Sequence, residues 1–200
     1  MGETPLPVKL LTAVLWRGLD QLSLQHFRLQ EYFGGFLLNG RILSIQNQQP
    51  AEVFYVVMCD RGWRTQEVHV GVMAGEDTTQ LEIRRDEQNQ WFRNGERVSD
   101  LDGIVDIDLS VSPATNMLPI RRLALEVGES CAVDAAWVRF PELTLERLDQ
   151  RYTRLDARRY RYQSGGGSFT AEIEVDDNGV VARYKDLWDR VAPPLESAER

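Results

Sequence analysis

Apolar positions along this chain recur with the two-residue period of half-buried strands, not the 3.6-residue period of helices. The clearest run covers residues 104–111, where Ile107, Leu109 and Val111 fall on one face and Asp106, Asp108 and Ser110 on the other. Residues 67–73 repeat the pattern, residues 53–58 form a short continuous apolar run on the other side of the turn Asp60-Arg61-Gly62, and residues 81–83 lead into the polar break 86–89. Residues 132–140 alternate less cleanly and stop at Pro141; further strands are expected at 143–145 and 160–163, after which the loop Ser164-Gly165-Gly166-Gly167 opens a last hairpin. Three Asn-Gly pairs, Asn39-Gly40, Asn94-Gly95 and Asn178-Gly179, each predict a tight hairpin, because a type I′ turn needs positive φ at both central positions. The best helix candidates are 143–154, where apolar spacing is ambiguous, and 185–191.

Strands spaced ~8 to 12 residues apart with little helix predict a mainly β chain, built as an antiparallel sandwich, barrel or roll. No repeat or internal linker interrupts it, so residues 1–200 read as a single domain with a frayed tail from about 192. The 42% hydrophobic and 27% charged fractions agree with a globular chain. A net charge of -8, with 31 acids against 23 bases, argues against a nucleic-acid partner, whose binders gain affinity from basic stripes. Cys59 and Cys131 are too few for a disulfide scaffold and fit a reducing, cytoplasmic setting. The apolar run at 10–16 is too short for a signal core, and no stretch approaches the ~18 apolar residues of a spanning helix, so stable membrane insertion is not expected.

Candidate chemistry concentrates in residues 106–122, DIDLSVSPATNMLPIRR, where an alternating strand ends in a proline-bracketed turn that delivers Arg121 and Arg122. Asp106 and Asp108 share a strand face ~7 Å apart. That spacing suits a general acid and base for sugar cleavage, a divalent-metal Asp-x-Asp for a nucleotide sugar, or a solvent-facing polar edge. Arginines can neutralise such carboxylates, and an Asp/Arg network can serve architecture or form the polar end of a ligand cavity. On a regular strand only one of Arg121 and Arg122 faces inward, and parity with Ala124 favours Arg122. Asn116, Arg151 and Tyr152 join this polar set, and Trp63 with Arg64 adds a stacking ring and a cation in the turn after Asp60. Other signals are weaker. Gly128-Glu129-Ser130-Cys131-Ala132 resembles a nucleophile elbow but precedes a strand, and His26 and His69 both come before it. Two histidines and two cysteines make no zinc set, so neither a metal nor another cofactor is expected, and no catalytic residue is assigned.

Several segments carry a family resemblance: residues 60–65 (DRGWRT), 106–109 (DIDL), 113–123 (PATNMLPIRRL), 150–153 (QRYT), 160–162 (YRY) and Val175-Asp176 with Gly179-Val180-Val181. In order and spacing they resemble a bacterial glycolipid-binding family long carried as a domain of unknown function, over roughly residues 12–191. The resemblance implies one antiparallel sheet curled into a spiral β-roll or open barrel around an interior cavity, similar in shape to periplasmic lipoprotein carriers. It implies a binding protein for an amphipathic small molecule such as a glycolipid. In that reading Arg64, Asn116, Arg122 and Arg151 grip head-group oxygens, Arg121 is a further candidate beside them, Asp106 and Asp108 orient the arginines or accept hydroxyls, and Trp63 and Tyr152 stack. The alternatives are an enzyme acting on a carbohydrate or nucleotide sugar through Asp106 and Asp108, and a structural module without ligand.

Overall fold

A computed structural model describes residues 8–46 and 48–193; the tail from 194 and the start up to residue 7 lie outside the described residues. The described chain forms a mainly β structure of fifteen strands in one sheet. They are β1 (Lys9–Gly18), β2 (Ser23–Tyr32), β3 (Gly35–Gln46), β4 (Gln49–Asp60), β5 (Thr65–Ala74), β6 (Asp77–Arg85), β7 (Trp91–Arg93), β8 (Glu96–Arg97), β9 (Asp106–Leu109), β10 (Ser130–Arg139), β11 (Thr144–Arg154), β12 (Arg159–Ser164), β13 (Phe169–Val175), β14 (Val181–Tyr184) and β15 (Trp188–Ala192). One helix, α1 (Met117–Leu123), and three 3₁₀ turns at Ser99–Leu101, Pro113–Asn116 and Gly165–Gly167 complete the described elements.

The strand order explains the shape. Strands β1 to β8 meander away on one side of β1, while β15 pairs with β1 on the other and leads back through β14 to β9, so β8 and β9 are the two edges. Laid flat at ~4.8 Å per strand such a sheet would separate its edges by roughly 67 Å. The link between them, residues 98–105, reaches about 30 Å at most even when fully extended. The sheet therefore has to roll until its edges meet. Backbone bonds mark the meeting: Thr65 N donates to Val105 O at 2.9 Å and Gly103 N to Asn89 O at 3.0 Å. Trp91 Nε1 adds a bond to Ile104 O at 2.9 Å. The roll does not close into a barrel, because β8 and β9 do not pair. Strand β9 ends up inside, with Asp106 buried on one face and Ile107 and Leu109 on the other.

All neighbouring strands are antiparallel except β9 and β10, which run parallel, Asp108 opposite Trp137. This departs from the wholly antiparallel expectation and has a direct cause. A parallel pair needs a long crossover to bring the chain back to its starting end. Here residues 110–129 provide it, and they pass through the interior of the roll, so that every residue from 112 to 120 is buried. The crossover is thus an internal plug. Ser112 starts it, its Oγ accepting from Ala114 N at 3.1 Å with Pro113 in the first turn, and Ala124 in the left-handed region stops α1. Met117, Leu118 and Ile120 merge with the inward residues of β2 and β4, among them Phe27, Leu29, Val53 and Val57, into one hydrophobic core.

Three local expectations change. Asn39-Gly40 lies inside β3 rather than in a turn, with Gly40 opposite Tyr55 of β4. The glycine is required by close approach: a Cβ there would fall 2.2 Å from the Tyr55 ring. Of the run 143–154, residues 144–154 form β11, and 185–191 lead into β15, because ladder partners on β10 and β1 decide short ambiguous runs. The other two Asn-Gly pairs do form turns, Asn94-Gly95 with φ of 47° and 83°. Tyr55 cannot swing away from Gly40, since its hydroxyl accepts from Gln25 Nε2 at 2.6 Å and bonds Ser112 Oγ at 2.9 Å. Gly40→Ala is therefore expected to lower stability by about 1–3 kcal/mol, read as a fall in the urea midpoint at unchanged slope.

Candidate functional site

The plug is pinned from every side by polar and aromatic contacts. Arg122, on the last turn of α1, donates through Nε to Asp106 Oδ1 at 3.1 Å and through Nη2 to Asp106 Oδ2, a two-pronged pair between the plug and β9. Asp106 is 1% exposed, and burial pushes its carboxyl pKa up while the Arg122 bonds pull it down. On the neighbouring residue, the Arg121 guanidinium sits 5.1 Å from the centre of the Trp63 ring, and that ring stacks on Phe36 with centroids 3.8 Å apart. The turn that presents Trp63 is held by Asp60, whose Oδ1 accepts from Gly62 N and Arg64 N at 2.8 and 2.9 Å. On the opposite wall, Tyr152 of β11 donates to Asn116 Oδ1 at 2.9 Å.

Beside the plug lies a cavity of about 480 Å³, floored by Asp108, Ser112 and Asn116 and walled by rings of Tyr162, Phe169, Tyr184 and Trp188. The strands supply these side chains by parity: Tyr162 and Ser164 share the inward face of β12, as Gln150 and Tyr152 share that of β11. Tyr162, Phe169 and Tyr184 meet edge to face with centroids 6.0, 6.1 and 6.4 Å apart. Asp108 Oδ2 accepts from Gln150 Nε2 at 2.6 Å. Burial pushes its carboxyl pKa up to about 6, only partly offset by that bond. The two carboxylates that share a strand face therefore differ. Asp106 is sealed by an arginine, and Asp108 faces a cavity without one.

The family model described as "Putative glycolipid-binding" matches residues 13–190. The chain belongs to this family. It is similar to a crystal structure, at 1.80 Å, of a DUF1089 family protein from Pseudomonas aeruginosa, with 31% identity, a TM-score of 0.78, and coverage of 84% of this chain and 92% of that one. No curated protein matches it. Among the described residues, no helix is long and apolar enough to cross a membrane.

Segments 60–65, 106–109, 113–123 and 150–153 supply the plug and its anchors. Trp63, Asp106, Asn116, Arg121, Arg122 and Tyr152 converge there, although from separate strands and loops. Asp108 lies next to them at the cavity floor. Arg64 and Arg151 do not join: Arg64 is exposed at the turn near Arg85, and Arg151 is exposed on the reverse face of β11. Arg122 does turn inward, but from a helix rather than a strand. The residues the sequence reading missed are Gln150, Ser112 and the rings Tyr162, Phe169, Tyr184 and Trp188. The spacing Gln150-x-Tyr152 and Tyr160-x-Tyr162, polar aromatics alternating with arginine, carried the signal for two of them.

Two outcomes follow from these geometries. Arg122→Met leaves Asp106 buried without its cation and is expected to cost about 3 kcal/mol at pH 8. The loss should shrink toward pH 5, because the stranded carboxyl can be protonated there; urea unfolding at the two pH values checks it. Asp108 binds its proton more tightly in the folded protein than in the unfolded chain, where the value is 3.8, so its contribution is full below about pH 4 and disappears as pH rises through about 6. Wild type is therefore expected to lose about 1–2 kcal/mol relative to Asp108→Asn between pH 4 and 7, half-buried Asp108 being partly screened by the open cavity.

Proposed function

We propose that the protein binds an amphipathic small molecule with a hydroxyl-rich head, such as a glycolipid, in the cavity beside the plug, and that it does so without catalysis. The observation that carries this reading is the cavity's division into a polar floor and aromatic walls. Asp108 offers a carboxylate acceptor to sugar hydroxyls beside the polar edge that Ser112 and Asn116 form, and rings stack on the apolar face of a pyranose or pack along an alkyl chain. The volume falls within the ~300–1,000 Å³ of small-molecule sites. Membership of the glycolipid-binding family supports the same ligand class. A paired-carboxylate enzyme is the poorer reading, since Asp106 is closed off by Arg122 and leaves Asp108 without a partner acid. Free thiols at Cys59 and Cys131 suit work in a reducing compartment such as the cytoplasm.

Native mass spectrometry of protein purified from its own host is expected to show a bound lipid that Phe169→Asp at the cavity wall removes. A clean apo mass together with no rise in melting temperature across a glycolipid panel would sink the proposal.

A further inference from the structure

Within the proposed cavity, the charge of the wall restricts the head group further. Asp108 is the one charged side chain among the described residues that line it. Its Oδ2 takes one bond, from a neutral amide, and no arginine or lysine pairs with it in the described structure. Arg122, which comes in from the plug, spends its Nε and Nη2 on the two oxygens of Asp106. The carboxylate is also set among rings: Trp137 is its ladder partner across β9 and β10, and Tyr162, Tyr184 and Trp188 line the same space. A partly buried carboxylate among aromatic side chains attracts a cation through its own charge, with a ring face turned to that cation adding to the attraction. It repels phosphate or sulfate, for which the cavity wall offers no guanidinium.

We propose that this cavity prefers a head group bearing an ammonium, as on an amino sugar or an alkylamine, and rejects anionic heads. The proposal rests on the cavity reading above and narrows it. Neutral sugar hydroxyls still donate to Asp108, but they bring no charge to match it.

The preference also depends on Asp108 being ionised. Of the groups that face it, Tyr152, Tyr162 and Tyr184 are held protonated by burial, Asp106 is paired with Arg122, and Gln150 is neutral. Asp108 itself, with its pKa up at about 6, is mainly charged at pH 7 and mainly neutral at pH 5.

Calorimetric titration with four eight-carbon amphiphiles, each below its micelle threshold in low salt at pH 7, tests this. They are octylammonium, octyl 2-amino-2-deoxyglucoside, octyl glucoside and octyl phosphate. At least one of the two ammonium compounds is expected to bind ten or more times tighter than octyl glucoside, with octyl phosphate weakest; which of the two leads tells an amino sugar from a simple amine. Asp108→Asn, or wild type at pH 5, is expected to bring the compounds to within about threefold of each other. If octyl glucoside binds but the ammonium preference is missing, or survives in Asp108→Asn, this inference falls and the cavity reading stands. Tighter binding of octyl phosphate would likewise overturn it. If none of the four binds, both fall.

Discussion

The roll depends on a tether. Residues 98–105 join the two edges of a fifteen-stranded sheet, and they are too short for any flat arrangement. Everything interior follows from that limit. Edge strand β9 is drawn under the opposite edge, its pairing with β10 becomes parallel, and the crossover that such a pair demands is enclosed as the sheet rolls around it. Other open sheets bury a side chain from each strand to fill their middle; this one fills part of its middle with its own backbone, and the space left over is the cavity.

Two aspartates two residues apart show how narrowly the interior sorts charge. Asp106 meets the plug and receives a guanidinium that satisfies both its oxygens. Asp108, one step further along β9, lies beyond the plug and meets Gln150 instead. A buried ion pair adds little net stability over an apolar contact of the same shape, but it fixes register, because only one seating of α1 gives Asp106 its partner. A carboxylate with a neutral partner does the reverse: it keeps an unspent interaction available to something that is not part of the chain.

Much of the fold was legible, since alternation at 67–73 and 104–111 and the turn-bounded apolar run at 53–58 mark strands regardless of tertiary context. Asn39-Gly40 misled because glycine serves two needs, positive φ and absence of a side chain, and the dipeptide alone does not say that a tyrosine ring sits above it. The parallel pair was hidden because nothing in residues 106–109 records which end of the sheet their partner comes from. Of the site, the charged and aromatic anchors were visible as an unusual density of polar residues at 106–122. Their arrangement was not: Arg122 faces inward through helix geometry, and Gln150 looks like any surface glutamine until β11 is folded. Arg64 and Arg151 were attractive for their chemistry alone; the turn after Asp60 leaves Arg64 exposed, and the pleat of β11 turns Arg151 outward.

The seam between the first and last strands has a consequence for how the molecule is made. Trp16 is buried in β1 and donates its indole N–H to Val181 O at 2.7 Å, and Gly18 pairs with Trp188. Strand β1 thus waits for β15, more than 160 residues later, and keeps an open edge until that strand has been made. Pairings of such long sequence separation form slowly, and an unpaired edge is a template for another copy. A nascent chain stalled before β15 would hold a complete plug and no way to close the wall around it.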